Sequence, residues 1–447
     1  MQQIAVIGSG VAGLGAAWAL ASRHDITVFE AGAQAGGHAH TVDVTQNGRT
    51  RAVDTGFLVY NEATYPHLIK LFEHLGVVTA SSDMSFGVSA DGGRFEYTGS
   101  ARGLLAQKTN ALRPGFWWLI RDTLRFFKQA PQWLADHPDS EISLGEYLTH
   151  HRYSRSFVNY HLAPMAAAIW SCPDRQVLDF PAVSVMRFFA NHGLLQLKDR
   201  PQWRTVSGGS REYVRAMTAR FETRLHLNSP VTALRRRPEG VEVTTPHGTQ
   251  HFDAVVVATH ADQARRILGA TASPLETALL GAFNYTANDA WLHTDPALMP
   301  RRRQVWSSWN YLGGRDGENA GAPADLAVTY WLNRLQDLAA PDIFVTLNPK
   351  RAPDADKVLA RMTYEHPVFD GPAIQAQARL PEIQGIDRIW YCGSYFGYGF
   401  HEDGLESGFA VAESLGSPVP WAGAVKAASP AARTARPLAS GLAAAAE

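Results

Sequence analysis

Cysteine is nearly absent from this chain of 447 residues: there are two, Cys172 and Cys392. They lie far apart and form no CxxC pair, so there is no disulfide framework, and both read as free thiols of a reducing compartment. No apolar run reaches the length of a membrane span. The first strand begins at residue 3 or 4, which leaves no room for a signal peptide, and the expected location is the cytoplasm. Charge of one sign is lacking too. With 41 basic and 42 acidic residues the formal net charge is −1, which gives no electrostatic footprint for a nucleic acid partner. His38 and His40 form a His-x-His with no further ligands at zinc spacing, so no metal site is expected. What remains is an ordinary globular composition, 45% hydrophobic and 19% charged, long enough for two or three domains and for large cores. No internal repeat stands out, and nothing in the sequence fixes an oligomeric state.

What the chain does have comes first. Ile4-Ala5-Val6-Ile7-Gly8-Ser9-Gly10-Val11-Ala12-Gly13-Leu14 reads as a buried strand running through a glycine turn into a helix. Gly8 permits the tight turn, Gly10 lets backbone amides approach a pyrophosphate, and Gly13 lets the helix lie close on the strand. A second strand, Ile26-Thr27-Val28-Phe29, ends at Glu30, whose carboxylate suits ribose hydroxyls. Strand, helix and acid in this order make a dinucleotide cradle. Gly36-Gly37 follows the acid by six and seven residues. That pair leaves bare backbone where the longer FAD molecule is threaded back past the sheet, which separates flavin from nicotinamide.

The pattern changes along the chain. A helix over 11–23, a hairpin over Val42–Asp54 around Asn47-Gly48, and a helix through Leu68, Leu71 and Leu75 ending at Gly76 complete the first unit. Aromatic, mostly helical segments broken by proline follow. Val206-Ser207-Gly208-Gly209-Ser210, the strand Pro230–Leu234 and the apolar run Ala254–Thr259 return to a layered sheet. Residues 270–380 are again aromatic. Ile386–Gly393 then gives a last strand and Gly404–Leu415 a last helix. The predicted fold is α/β: an FAD-binding Rossmann-like domain over 1–78, 203–268 and 384–417, interleaved with a mixed α+β substrate domain over 79–202 and 269–383. Residues 418–447, rich in Ala, Pro and Ser, are expected to be a disordered tail.

Tyr391-Cys392-Gly393-Ser394-Tyr395-Phe396-Gly397-Tyr398-Gly399-Phe400-His401-Glu402-Asp403-Gly404-Leu405 is a second glycine-rich junction leading into a helix. With the N-terminal fingerprint, Gly208-Gly209-Ser210 and Val257-Ala258-Thr259, it resembles the superfamily of flavin-containing amine oxidases, protoporphyrinogen oxidases and phytoene desaturases. Within it, the chain is most similar to bacterial proteins described as NAD/FAD-binding or amine oxidase-like. The resemblance covers roughly 1–75, 205–265 and 385–415 and implies a two-domain, amine oxidase-like architecture. It also implies that Gly8, Ser9, Gly10, Val11, Ala12 and Gly13 hold the FAD pyrophosphate, Glu30 and Ala31 the adenosine ribose, and Val231 the adenine. Gly36, Gly37, His38 and Thr41 follow the cofactor past the sheet. Gly393 and Ser394 meet the ribityl-phosphate side, and Gly56 and Phe57 pass near the isoalloxazine. The His401 amide, with Gly404 and Leu405, faces the flavin N1/O2 edge, where a helix N-terminus stabilises the negative charge of reduction. Two departures stand out. His38 occupies the position where the family commonly has Arg, and no cysteine for covalent attachment occurs over Tyr364–Asp370, so FAD is expected to be non-covalent.

The expected activity is an FAD-dependent oxidase or desaturase moving a hydride from an apolar, fatty-acyl or other lipid substrate to flavin N5. A flavin amine oxidase is the alternative, although no lysine can be assigned beside N5. A non-catalytic, lipid-binding escort protein is the alternative of another class. Catalytic candidates are Tyr395, Tyr398 and Phe400 as an aromatic wall, with Phe400 matching a cage aromatic of amine oxidases, and His401 and Glu402 as titratable neighbours. For Glu402 the competing reading is a helix-dipole partner. Asn191-His192 and Trp170-Ser171-Cys172-Pro173 are candidates for the cavity wall. Over 114–130, Phe116, Ile120, Leu124 and Phe127 share a helical face apart from Arg121, Arg125 and Lys128. The segment reads either as a peripheral membrane contact at the inner face or as a core-facing helix with solvated charges. Arg235–Arg237 and Arg301–Arg303 read as loop charges.

Overall fold

The computed structural model describes residues 1–100, 103–170, 173–198, 200–313 and 327–425. Its first strand, β1 (Gln3–Ile7), is buried at four of five positions, as an apolar run covered on both faces requires. It lies at the centre of a parallel sheet. β2 (Asp25–Phe29) and then β3 (Leu225–His226) extend one side, and β4 (Ala254–Val257) and β5 (Ile389–Tyr391) the other. Three distant stretches of sequence therefore meet in one layer.

Five helices position the site. α1 (Val11–Leu20) follows β1 and is buried along nearly its whole length, so its small apolar residues have no polar face to balance. It ends three residues earlier than the pattern predicts. α2 (Pro66–Leu75) starts on a proline and stops at Gly76, whose φ of 69° supplies the left-handed cap. α3 (Pro114–Asp136) and α4 (Arg211–Thr218) come next, and α5 (His401–Ser414) returns to lie on α1. The α1–α5 contact is tight because it is made of glycine. A Cβ at Gly404 would meet Val11 Cγ1 at 2.9 Å, and one at Gly408 would meet the Ala12 carbonyl oxygen at 2.3 Å.

The second body is a seven-stranded mixed sheet. Its order is Val358–Val368, Asn284–His293, Phe344–Leu347, Ala327–Trp331, Trp309–Gly313, Phe86–Ala90 and Phe95–Thr98. One face packs with α3 and its helical neighbours into a single aromatic core. The two bodies are tied at Asp54, the last residue of the hairpin strand Arg49–Asp54. Its buried carboxylate accepts from Thr41 Oγ1 at 2.6 Å, from Ser210 N and Oγ at 2.9 and 2.8 Å, and from Gln336 Nε2 at 3.0 Å. Burial pushes this carboxyl up to about 6 against those hydrogen bonds.

Four expectations need correction. Residues 418–425 are ordered: Val419 and Trp421 are buried, and the Trp421 ring stacks on Trp18 at 5.8 Å. Two apolar side chains suffice to anchor an Ala- and Pro-rich run; residues 426–447 lie outside the described set. α3 buries Phe116, Leu119, Phe126 and Ala130, with Ile120 and Phe127 half-buried against the same core, so of the predicted face only Leu124 is left out, 48% exposed beside Trp117 at 53% and Trp118 at 48%. The register turns so that Asp122, wholly buried, accepts from the Ser154 amide at 2.8 Å. Arg236 is not a loop charge. It lies in the strand Ala233–Arg237, and its Nη2 donates to both carboxylate oxygens of buried Glu276 at 2.6 and 2.7 Å. Arg302 likewise reaches buried Glu96 at 2.7 Å. Among the described residues no helix is long and apolar enough to cross a membrane.

Candidate functional site

Along the carboxyl ends of the parallel sheet runs a cavity of about 1230 Å³ that continues into the seven-stranded body. This exceeds the roughly 300–1,000 Å³ of common ligand pockets. At the sheet end its wall is backbone. Gly8 has a φ of +98°, and a Cβ there would sit 2.8 Å from the Ala258 carbonyl oxygen. A Cβ at Gly37 would lie 3.1 Å from Gly10 Cα, so two bare stretches of chain face each other. α1 begins on Gly10 without a side-chain cap, which leaves its first amides free for an anion. Glu30 is held by Ser9, whose amide and hydroxyl donate to Oε2 at 2.9 and 2.6 Å, and by the Gly32 amide, which donates to Oε1 at 2.7 Å. Oε2 is thereby saturated, while Oε1 keeps a lone pair for a hydroxyl in the cavity.

Of the predicted cofactor residues, Gly8, Ser9, Gly10, Val11, Ala12, Glu30, Ala31, Gly37, His38, Gly56, Phe57, Val231, Gly393, Ser394 and His401 line this cavity. Gly13, Gly36, Thr41, Gly404 and Leu405 do not, and each has a structural task instead. A Cβ at Gly13 would meet the Gly8 carbonyl oxygen at 1.9 Å, and one at Gly36 would meet that of Ala39 at 2.6 Å. Thr41 belongs to the Asp54 cluster. Gly404 and Leu405 form the α1–α5 contact, Leu405 Cδ1 lying 2.8 Å from where a Cβ at Gly15 would be.

The predicted catalytic residues separate in the same way. His401 stacks on Phe57 at 3.8 Å with an interplanar angle of 11°, and its Nε2 hydrogen-bonds the Tyr213 hydroxyl at 2.8 Å. Burial pulls it down to about 3, so it is neutral at working pH. Phe400 stacks on Phe188 at 4.8 Å, and Tyr398 approaches the same ring at 6.1 Å. Tyr395 packs on Phe283 at 5.2 Å, with its hydroxyl buried and without a partner. Glu402 turns away from the cavity. Its carboxylate accepts from the amides of His67 and Leu68 at 2.7 and 3.0 Å and so caps α2. Burial, with Glu406 and Asp403 adding like charge, raises it well above the usual carboxylate range. It cannot act as the titratable neighbour proposed from its position in sequence.

Sequence reasoning missed one cluster. The strand Val358–Val368 brings Tyr364, Glu365 and His366 to the wall opposite His38. His38 lies 5.1 Å from the Tyr364 ring and 5.3 Å from that of His366, with its Nε2 buried and unpartnered. Burial first, then His366, His260 and His401, holds it well below the ordinary histidine value. His40 goes elsewhere, its Nδ1 bonding Thr55 Oγ1 at 2.8 Å and the Tyr364 hydroxyl at 3.0 Å. Alternating residues on a half-buried strand carried no signal that they faced the glycine turn. His192 and Trp170 line the cavity as predicted; Asn191 is exposed, and Ser171 and Cys172 lie outside the described residues.

Residues 11–301 match the family model of flavin containing amine oxidoreductases. This chain belongs to that family. Similar to it is a Mycobacterium tuberculosis protein, AofH, described as a flavin-containing monoamine oxidase, 28% identical over 268 residues that cover 57% of this chain and 56% of the relative. The chain thus spans little more than half the length of the curated relatives it matches. Among solved structures, cyclohexylamine oxidase from Brevibacterium oxydans IH-35A has a TM-score of 0.66 at 15% identity, covering 93% of this chain and 99% of that one. A CLA-producing fatty acid isomerase from P. acnes has a TM-score of 0.61 at 16% identity, covering 91% and 97%. At such identities these two speak for the two-domain fold alone.

Membership in the flavin containing amine oxidoreductase family implies FAD, and the cavity fits it. The opposed glycines leave a slot that any Cβ at Gly37 would narrow, α1 offers free amides, and His38 Nε2 lacks the partner that a cofactor oxygen would supply. Among the described residues no cysteine lines the cavity, and Cys392 is buried in the core behind the sheet.

Proposed function

We propose that this flavin-family member is an FAD-dependent oxidoreductase, an oxidase or desaturase, that removes two hydrogens from an apolar acyl or other lipid chain. One observation carries the reading: beyond Phe400 the cavity is lined by Phe86, Phe127, Met165, Ile169, Trp170 and Trp309, with no lysine among its described wall residues. A cationic amine would have aromatic faces there but no free carboxylate to pair with among the described residues. Asp83, at that end, is already paired with Arg334 at 2.9 Å.

When bound, FAD supplies a two-electron acceptor for a hydride. The chain's own residues do the rest. Gly8 to Ala12 and Glu30 would hold the dinucleotide, His38 would donate or accept one hydrogen bond at its Nε2, and the absence of a lining cysteine among the described residues supports non-covalent binding. The first turn of α5 aims its free amides, from His401 onward, at the cavity, where negative charge is favoured. The Phe57–His401 stack and the Phe188–Phe400 stack exclude water and hold a C–H in place. Neutral His401 presents no charge to an apolar substrate. A peripheral membrane contact through 114–130 completes the proposal, supported by exposed Trp117, Trp118 and Leu124 with Arg121 and Lys128 beside them.

Mass spectrometry of lipid extracts from cells with and without the protein tests this. A changed acyl-chain unsaturation is the expected result. Unchanged lipids with altered polyamines would select an amine oxidase, and a purified protein that stays colourless after FAD is supplied would select a lipid carrier.

A further inference from the structure

Among the described residues, five charged side chains other than histidine line the cavity, and four of them are engaged. Glu30 is held by Ser9 and Gly32. Asp83 pairs with Arg334 at 2.9 Å, Arg266 with Asp262 at 2.8 Å, and Glu365 with His260 at 3.3 Å. Arg200 is the exception. Its Nε donates to the Gln196 carbonyl at 2.7 Å, and its two terminal nitrogens find no partner among the described residues.

The surroundings make this informative. Arg200 sits where the wall is formed by Tyr97, His161, Leu194 and Trp203, away from the glycine end. Arg200 is itself exposed, so its terminal nitrogens stand where the cavity meets solvent, and partial burial lowers its guanidinium below the usual value. Its neighbour His161 supplies no compensating charge. That ring hydrogen-bonds the Tyr97 hydroxyl at 2.9 Å, and burial, with Arg200 second, takes it down to about 4. A planar guanidinium with two free nitrogens offers the fork that matches a carboxylate or phosphate.

We propose that Arg200 is a headgroup receptor: it takes an anionic group, a carboxylate or phosphate, at one end of the apolar substrate whose chain fills the aromatic part of the cavity. The proposal rests on the apolar-chain reading above and adds the polarity of the substrate's end. It assigns Arg200 to binding and orientation, with no part in the transfer of hydrogen.

Calorimetric titration of the FAD-loaded full chain tests it with four probes: oleate, methyl oleate, oleylamine and oleoyl lysophosphatidate. An ionic hydrogen-bonded contact predicts that oleate or the lysophosphatidate binds roughly 10- to 100-fold tighter than methyl oleate. The tighter of the two identifies a free carboxylate or a phosphate headgroup as the source. Arg200→Gln erases the preference while methyl oleate binding, flavin content and melting temperature stay the same, and Arg200→Lys keeps part of it. Equal affinity of the unmutated protein for oleate and methyl oleate, or a preference that survives Arg200→Gln, overturns the headgroup assignment and leaves the apolar-chain reading standing. Tightest binding of oleylamine, or binding of none of the four, overturns both.

Discussion

At its glycine end the cavity is walled by main chain, and at its aromatic end by side chains from segments far apart in sequence. Gly8, Gly10 and Gly37 admit a ligand by what they lack, and an added carbon at Gly8 would close to 2.8 Å on the Ala258 carbonyl. Phe188 and Phe400, by contrast, touch ring to ring and belong to a core that can repack. The first end is built for one ligand of fixed shape. The second can be reshaped without dismantling the first.

Gly13→Val should break the glycine end outright, because its Cβ would lie 1.9 Å from the Gly8 carbonyl oxygen. A cost of about 3 kcal/mol or more and a colourless protein are expected, read by flavin absorbance and denaturant melts. Phe188→Leu should keep its flavin and change only which chains are bound; full flavin in the first variant, or lost flavin in the second, would undo the contrast.

Acid should weaken the fold at both ends through buried histidines. Burial holds His161, His192 and His366, on the cavity wall, and His67 and His293 elsewhere, at about 4, and His401 at about 3. These folded values lie below the ordinary histidine value, so the unfolded chain binds more protons and stability falls as pH drops through 6.5 toward 4. Asp54, raised to about 6, Asp403, raised to about 7, and Glu402 act in the opposite sense, each costing stability as pH rises through its folded value, and they are outnumbered. Melting curves should show Tm falling by about 5 °C or more between pH 6.5 and 4.5. A Tm that rises over that interval would mean the carboxyls dominate.

Glu402→Ala should cost about 1–2 kcal/mol by uncapping α2, while flavin spectrum and turnover per folded molecule are retained. A selective loss of turnover would return Glu402 to the chemistry. The smallest effect belongs to the surface: Trp117→Ser with Trp118→Ser should move stability by no more than about 0.5 kcal/mol. It should nevertheless weaken sedimentation with anionic vesicles, and unchanged sedimentation would remove α3 as a membrane contact.

The same division decides what could be read from the letters. Gly8 to Gly13 and Glu30 were legible because strand, turn and helix are neighbours in sequence and each residue's task is local. The wall formed by Tyr364, Glu365 and His366 was not, since it reaches His38 only through pairing of strands hundreds of residues away from the turn. Glu402 misled for a related reason. Its place in the first turn of α5 suggests a dipole partner of its own helix, yet its two hydrogen bonds go to α2, 335 and 334 residues distant. On α3 the apolar period was counted correctly, but only tertiary structure reveals that a carboxylate, Asp122, takes a place on the inner side.

Asp54 and Gln336 grip each other twice, amide to side chain and side chain to carboxylate. Parting the two bodies along that seam would break both of these bonds at once, while Thr41 and Ser210 keep their hold on the carboxylate. A way into the cavity that leaves this seam closed keeps both bonds.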